Sequence, residues 1–325
     1  MTDLIGLASQ NLLTPMILSF ALGLLAALAR SDLSVPEAAA KAMALYLLFA
    51  IGFKGGVAVA KTGVDAGLVA ALLGGIALSF LLPFLAFGLL RALTPLPALE
   101  RAAIAAHYGS ISVVTFATAT AALQIKGIES EGYMVAVAAA MEAPAIISAL
   151  WLAARSGNGP RMDSRLWHDI LLNGSIVLLI GAFAIGLITG ADGMKKIEAF
   201  IVGPWQGVLC LFLLDMGLVA GRGLRGSQTR LTAGTLAFGL IMPPIGAALG
   251  LALSLVLGIG TGGTVLMMTL AASASYIAVP AAMRMALPKA DPALALTLSL
   301  GVTFPFNLVL GIPAYLAIAL QIHGA

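Results

Sequence analysis

One cysteine, Cys210, is all the thiol this chain carries. A single cysteine excludes an intrachain disulfide and a cysteine-ligated metal centre. The three histidines, His107, His168 and His323, are scattered and form no ligand cluster with it. Charge is scarce too. Asp, Glu, Lys and Arg together make up 10% of the residues, against about 25% in soluble domains. The formal net charge of +3 is too small to argue for nucleic acid, and the basic residues fall in short loops. No Gly-Lys-Ser/Thr phosphate loop is present, so nothing suggests ATP drive. An Asp-rich diphosphate motif, a metal triad and a paired-Asp site are also missing, which argues against an intramembrane enzyme. The first apolar block follows Asp3 and has no basic stretch before it. It reads as a retained span rather than a cleaved signal.

What is plentiful is apolar surface. Of 325 residues, 61% are hydrophobic, and the mean hydropathy is +1.06. A span takes roughly 20 apolar residues. Ten blocks qualify, near residues 11–29, 41–60, 66–91, 100–124, 132–154, 168–189, 198–220, 231–257, 262–285 and 292–320. The expected fold is an all-α integral membrane protein with ten transmembrane helices and no separate soluble domain. The last span holds Pro305 and Pro313 and is expected to tilt or kink.

Basic residues set the orientation. One set of alternate loops holds Arg30, Lys41, Arg91, Arg101, Arg155, Arg161, Arg165, Arg222, Arg225, Arg230, Arg284 and Lys289; the other holds Lys61, Lys126, Lys195 and Lys196. The positive-inside rule puts the first set in the cytoplasm and both termini outside. The Gly-, Pro- and Ser-containing stretch after Arg155 then reads as a cytoplasmic linker, residues 155–167, at the midpoint of the chain. Residues 1–154 form a first five-helix repeat and residues 168–325 a second.

Three pairs of short stretches support that division. Leu47–Gly52 resembles Cys210–Asp215, 163 positions on; Gly109–Ser112 resembles Ser273–Tyr276, 164 on; Glu142-Ala-Pro144 answers Thr303-Phe-Pro305, 161 on. Each half has an odd number of spans, so the halves cross the membrane in opposite directions. A 5+5 inverted repeat is the plan of many secondary transporters.

Two stretches interrupt the apolar pattern. His107-Tyr-Gly-Ser-Ile-Ser-Val-Val-Thr-Phe-Ala-Thr-Ala-Thr120 lies in span 4, and Ser273-Ala-Ser-Tyr-Ile-Ala-Val-Pro280 lies in span 9. Gly109 weakens a helix, and hydroxyls satisfy backbone groups that a break releases. If both spans are discontinuous, two half-helix N-termini meet near the midplane with partial positive charge and free N–H groups. Such a pair holds a small anion without a buried cation. The candidate anion residues are Gly109, Ser110, Ile111, Ser112, Ser273, Ala274 and Ser275. The alternative is that small residues simply allow tight helix packing in lipid.

Of the 14 acidic residues, only Glu142 and Asp215 lie well inside a span. A charge at that depth costs on the order of 3 kcal/mol and usually faces a cavity or a partner. Glu142 precedes Pro144, which frees a backbone carbonyl. Asn307 is its amide counterpart in the other half. Carboxylate, amide, hydroxyl and carbonyl oxygens suit a hard cation such as sodium. The candidate sodium residues are Thr115, Glu142, Thr303 and Asn307; the other reading is that Glu142 is paired or protonated and Asn307 bonds between helices. Asp215 is expected to pair with Lys54 or to make a helix contact. His107 is a candidate proton carrier, though a lone histidine in a span more often bonds a neighbour.

His107–Phe116, Ser273–Pro280 and Thr303-Phe-Pro-Phe-Asn307 together resemble the sodium-dependent bicarbonate transporter family of the cyanobacterial SbtA type, with this chain as a bacterial homologue. The resemblance covers nearly the whole chain. It implies Na⁺-coupled uptake of bicarbonate across the bacterial inner membrane, with no cofactor beyond Na⁺ as coupling ion. A core of spans 3–5 and 8–10 would move against a gate of spans 1, 2, 6 and 7, in a homotrimer. It also implies a PII-like regulatory protein docking on the cytoplasmic face, where this chain offers only a short linker. A pocket of N–H groups and serines suits other small anions, so Na⁺ symport of a short carboxylate is the nearest alternative. A membrane scaffold or sensor acting through the linker is the alternative of a different class.

Overall fold

The computed structural model describes residues 14–63, 65–155, 174–226, 231–277 and 289–324, with residues 168, 172, 279, 280, 282, 283 and 287 between them. The linker expected at 155–167 lies outside the described residues, except for Arg155. Helix is the main regular structure, with no strand among the described residues. In chain order they form α1 (Pro15–Leu28), α2 (Glu37–Thr62), α3 (Ala66–Leu93), α4 (Ala98–Gly109), α5 (Val113–Ile125), α6 (Met134–Ala140), α7 (Ala143–Arg155), α8 (Gly174–Ile201), α9 (Trp205–Gly226), α10 (Ala233–Leu257) and α11 (Thr261–Ala272). The last helical run, α12, goes from Pro292 to His323 and contains two π-helical segments, Thr297–Thr303 and Asn307–Gly311.

Eight of the described helical stretches are long and apolar enough to cross a membrane. Pro15–Leu28 and Thr261–Ala272 are shorter apolar helices. Local chemistry sets several ends. Asp65 accepts from the Leu68 N–H at 2.8 Å and starts α3. Thr232 does the same for Thr235 at 3.2 Å and starts α10. These caps satisfy N–H groups that a helix cannot satisfy internally.

The structure departs from the expected spans in two places. α8 runs on to Ile201, where a turn was expected after residue 189, and it bends at Gly190 with φ 55 and ψ −147. Glycine alone adopts that conformation readily. The fifth span is split into α6 and α7 at Met141 and Glu142. Pro144 has no N–H to give Ala140, which is enough to open the helix there. Ser79 of α3 donates to the Met141 carbonyl at 2.6 Å and satisfies part of what the split releases.

Helices pair closely where glycine replaces a side chain. α1 packs along α9, and α2 along α8. A methyl added at Gly52 would meet the Leu179 carbonyl oxygen at 2.7 Å. Gly186 lies against the Phe53 carbonyl, Gly23 against that of Leu214, and Gly217 against that of Phe20. Small residues that admit a neighbouring backbone are how helices associate in lipid. α3 packs along α4, and α10 along α11. In the second pair, Gly250 lies 2.7 Å from the Met267 carbonyl oxygen, measured from an added methyl.

Candidate functional site: the crossing of two broken segments

α4 ends at Gly109, and Ser110 and Ser112 then take extended backbone conformations, with φ/ψ of −88/156 and −103/109. An added methyl at Gly109 would meet Ala145 Cβ at 2.8 Å and the ring of Pro83, so this glycine seats α4 against α7 and α3. The Ser112 hydroxyl accepts from the Thr115 N–H at 3.2 Å and starts α5. Val113 and Val114 come next; the first N–H groups of a helix have no acceptor within it. The second break mirrors the first. α11 ends at Ala272, Ser273 is extended at φ/ψ −83/162, and residues 273–275 are not helical. Residues 279, 280, 282 and 283 are again helical, while Ala278 lies outside the described residues.

The two breaks cross and bond to each other. The Ser112 N–H donates to the Ser273 hydroxyl at 2.9 Å, and that hydroxyl donates to the Leu270 carbonyl at 2.9 Å. The Ser275 N–H donates to the His107 carbonyl at 2.7 Å. The Ser275 carbonyl lies 2.6 Å from His107 Nδ1. A carbonyl only accepts, so Nδ1 carries the hydrogen. His107 therefore joins the two segments through its backbone and its ring. The Ser110 hydroxyl is buried and has no partner.

Beside the crossing is a narrow cavity of about 10 Å³, lined by Leu48, Ile111, Ser112, Val113, Glu142, Ser275, Tyr276 and Ile277. That is room for about one water-sized group. Two polar atoms on these lining residues lack a partner, Glu142 Oε2 and the Tyr276 hydroxyl. Glu142 is 1% exposed and Tyr276 8%. The Tyr276 hydroxyl lies near the Ser112 side chain but is not hydrogen-bonded to it. Among the described residues, no lysine or arginine lines the cavity. A larger cavity, about 470 Å³, lies between α9 and α12 and is lined by Arg222, Thr297 and Leu300 among others; it is away from the breaks.

Of the anion candidates, Ile111, Ser112 and Ser275 line the narrow cavity, Ser273 is bonded into the crossing, and Ser110, Ala274 and Gly109 are buried around it. The sodium candidates are divided. Glu142 lines the cavity, and Thr115 is buried one turn into α5. Thr303 donates to the Gly239 carbonyl at 2.7 Å and takes the Tyr108 hydroxyl at 2.7 Å. Asn307 donates to the Ala272 carbonyl at 2.9 Å and accepts from Tyr315 at 2.8 Å. Thr303 and Asn307 thus reach the ends of the broken helices through fixed bonds, outside the cavity lining. Lys54 does not pair with Asp215. Its ammonium sits 4.8 Å from the Trp205 ring centroid, a cation–π contact. Asp215 is instead close enough to Arg222 to feel its charge.

Residues 15–320 match the sequence profile of the Na⁺-dependent bicarbonate transporter superfamily. The chain belongs to that superfamily. No curated protein matches it in sequence. Membership implies a transporter, and the long apolar helices support a multi-pass membrane protein. Within this transporter, four lining residues were not among the candidates. Tyr276 stood inside the Ser273–Pro280 stretch, but only its unpartnered hydroxyl marks it out. Leu48, Val113 and Ile277 are ordinary apolar residues whose place at the cavity depends on tertiary packing.

Proposed function

We propose that the chain couples inward movement of Na⁺ to uptake of bicarbonate by alternating access at the crossing of the two broken segments. The observation that carries the reading is the composition of the cavity wall. One side is Leu48 of α2, which pairs with α8; the other is Ile111, Ser112, Glu142 and Ser275, from the broken helices and the split fifth span. A site shared between two bodies opens to alternate sides when one moves past the other. The cavity now fits a water-sized group, and bicarbonate has four heavy atoms, so loading requires the Leu48 wall to withdraw.

The anion sits against Ile111, Ser112 and Ser275, with the start of α5 supplying N–H donors and positive helix potential. Ser110, Ser273 and Ala274 shape the cradle. Sodium takes oxygens from Thr115, Thr303, Asn307 and Oε1 of Glu142, and the two ions favour each other's binding reciprocally. The packing supports an inverted repeat: α1 with α9 is the counterpart of α2 with α8, and α3 with α4 that of α10 with α11. The ten-span 5+5 plan, external termini, a homotrimer and a PII-like partner complete the proposal.

The test is bicarbonate uptake into proteoliposomes with an inward sodium gradient, no gradient, and no sodium. Uptake should require the gradient. Equal uptake without sodium rules the coupling out. Particle mass in detergent reads the trimer.

A further inference from the structure

Resting on the bicarbonate reading, we propose that Glu142 selects the cargo by its hydroxyl: Oε2 accepts the O–H of bicarbonate, while Tyr276 donates to one of its charged oxygens. Both residues are more than nine-tenths buried, line one narrow cavity, and end there in a polar atom without a partner. A buried polar atom left unpaired is unfavourable, so two in one cavity mark the place of a ligand that completes them. Their chemistry is complementary. A carboxyl oxygen accepts and a phenol donates. The Ser112 hydroxyl accepts the Thr115 N–H, and the Ser112 N–H goes to the Ser273 hydroxyl. Donors to a charged oxygen are therefore several, with the Ser112 and Ser275 O–H groups and the start of α5 beside Tyr276, whereas Glu142 is the one carboxylate acceptor on the wall.

Among small planar monoanions, bicarbonate fits because it carries both kinds of oxygen. Two share the negative charge and want donors. The third holds a hydrogen and wants an acceptor. Nitrate has the same charge and the same trigonal shape but no hydrogen. In the nitrate complex Oε2 faces a bare oxygen, which repels it and leaves it unpaired. Carbonate fails for the same reason and carries a second charge. A site built to bond a substrate hydroxyl rejects the analogue that lacks it far more strongly than a shape-matched pocket does.

The experiment measures bicarbonate and nitrate binding to detergent-solubilised protein by thermal shift in saturating sodium. It uses wild type, Glu142→Gln and Tyr276→Phe, with sodium-driven bicarbonate uptake in proteoliposomes run alongside. Wild type should prefer bicarbonate to nitrate by about tenfold or more, the effect of one charge-assisted hydrogen bond. Glu142→Gln, whose amide offers donors, should close most of that gap by weakening bicarbonate and strengthening nitrate. Tyr276→Phe should weaken both anions by a similar factor and leave the ratio intact. Both variants replace a side chain with one of nearly equal size, and a monodisperse elution peak confirms folding. An unchanged ratio in Glu142→Gln overturns the proposal, as does equal binding of the two anions by wild type. If wild type binds bicarbonate selectively but shows no sodium-driven uptake, the transport reading fails while the hydroxyl selection stands.

Discussion

Helices meet in two ways in this molecule. At α1 with α9 and α2 with α8, glycine admits a neighbouring backbone, and the two helices pack side by side. At the crossing of the broken segments, the contact is a handful of hydrogen bonds among Ser112, Ser273, Ser275 and His107, with polar atoms left over. The first kind resists change because any added atom collides with backbone. The second is held by fewer contacts and has capacity for a ligand. Stability and function are thus placed on different seams.

The strongest way to test that division is to add bulk to the glycine seam. At Gly56, an added methyl would meet the Leu187 nitrogen at 2.6 Å and press on the Phe183 carbonyl. Gly56→Leu should cost about 3 kcal/mol or more, seen as lost monodispersity or a large fall in melting temperature in detergent. A mild effect there would erase the contrast with the crossing. Next comes a covalent tie between the two sides of the cavity. In a Cys210→Ala background, Leu48→Cys with Ile277→Cys should lose most sodium-driven uptake on oxidation and regain it on reduction. Uptake that persists in a fully crosslinked sample would mean that this wall does not move.

His107→Ala comes third. It leaves the Ser275 carbonyl without its ring donor, and should cost about 1–3 kcal/mol in stability together with weaker anion binding. Ser110→Ala should be nearly neutral in melting temperature, because its buried hydroxyl has no partner to lose, yet still lower bicarbonate affinity. The smallest effect is expected at an exposed bond between α2 and α8. Tyr46 donates to the Phe200 carbonyl at 2.6 Å in an exposed position. Tyr46→Phe should cost about 0.5 kcal/mol and leave uptake alone.

The contrast also explains what could be read from the sequence. The breaks after Gly109 and Ala272 were legible because Gly, Ser and Thr in an apolar run have a specific backbone cost. Buried Glu142 was legible because a carboxylate in a span is rarely idle. The split at Met141 was half visible in Pro144. The bend at Gly190 was not, since glycine is common here and only its positive φ distinguishes it. Nor could periodicity show that Thr303 would bond Tyr108 and Asn307 the end of α11. Those bonds depend on which helices become neighbours. Lys54 shows the same limit: the repeat paired it with Asp215, and packing gave it Trp205 instead.

The charge on the cavity wall has an electrical consequence. Among the described residues the wall holds the carboxyl of Glu142 and no lysine or arginine, so in the proposed cycle sodium is what offsets the cargo during the crossing. Charges fixed to the chain return with the empty carrier, and the net charge moved in each cycle is that of the ions carried. One sodium per bicarbonate moves no net charge, and voltage then adds nothing to the driving force. A second sodium makes each cycle a current, and the membrane potential contributes about 2.3 kcal/mol per 100 mV. Recording from proteoliposomes fused to a planar bilayer tells these cases apart, and with them the steepest gradient of bicarbonate the carrier can sustain.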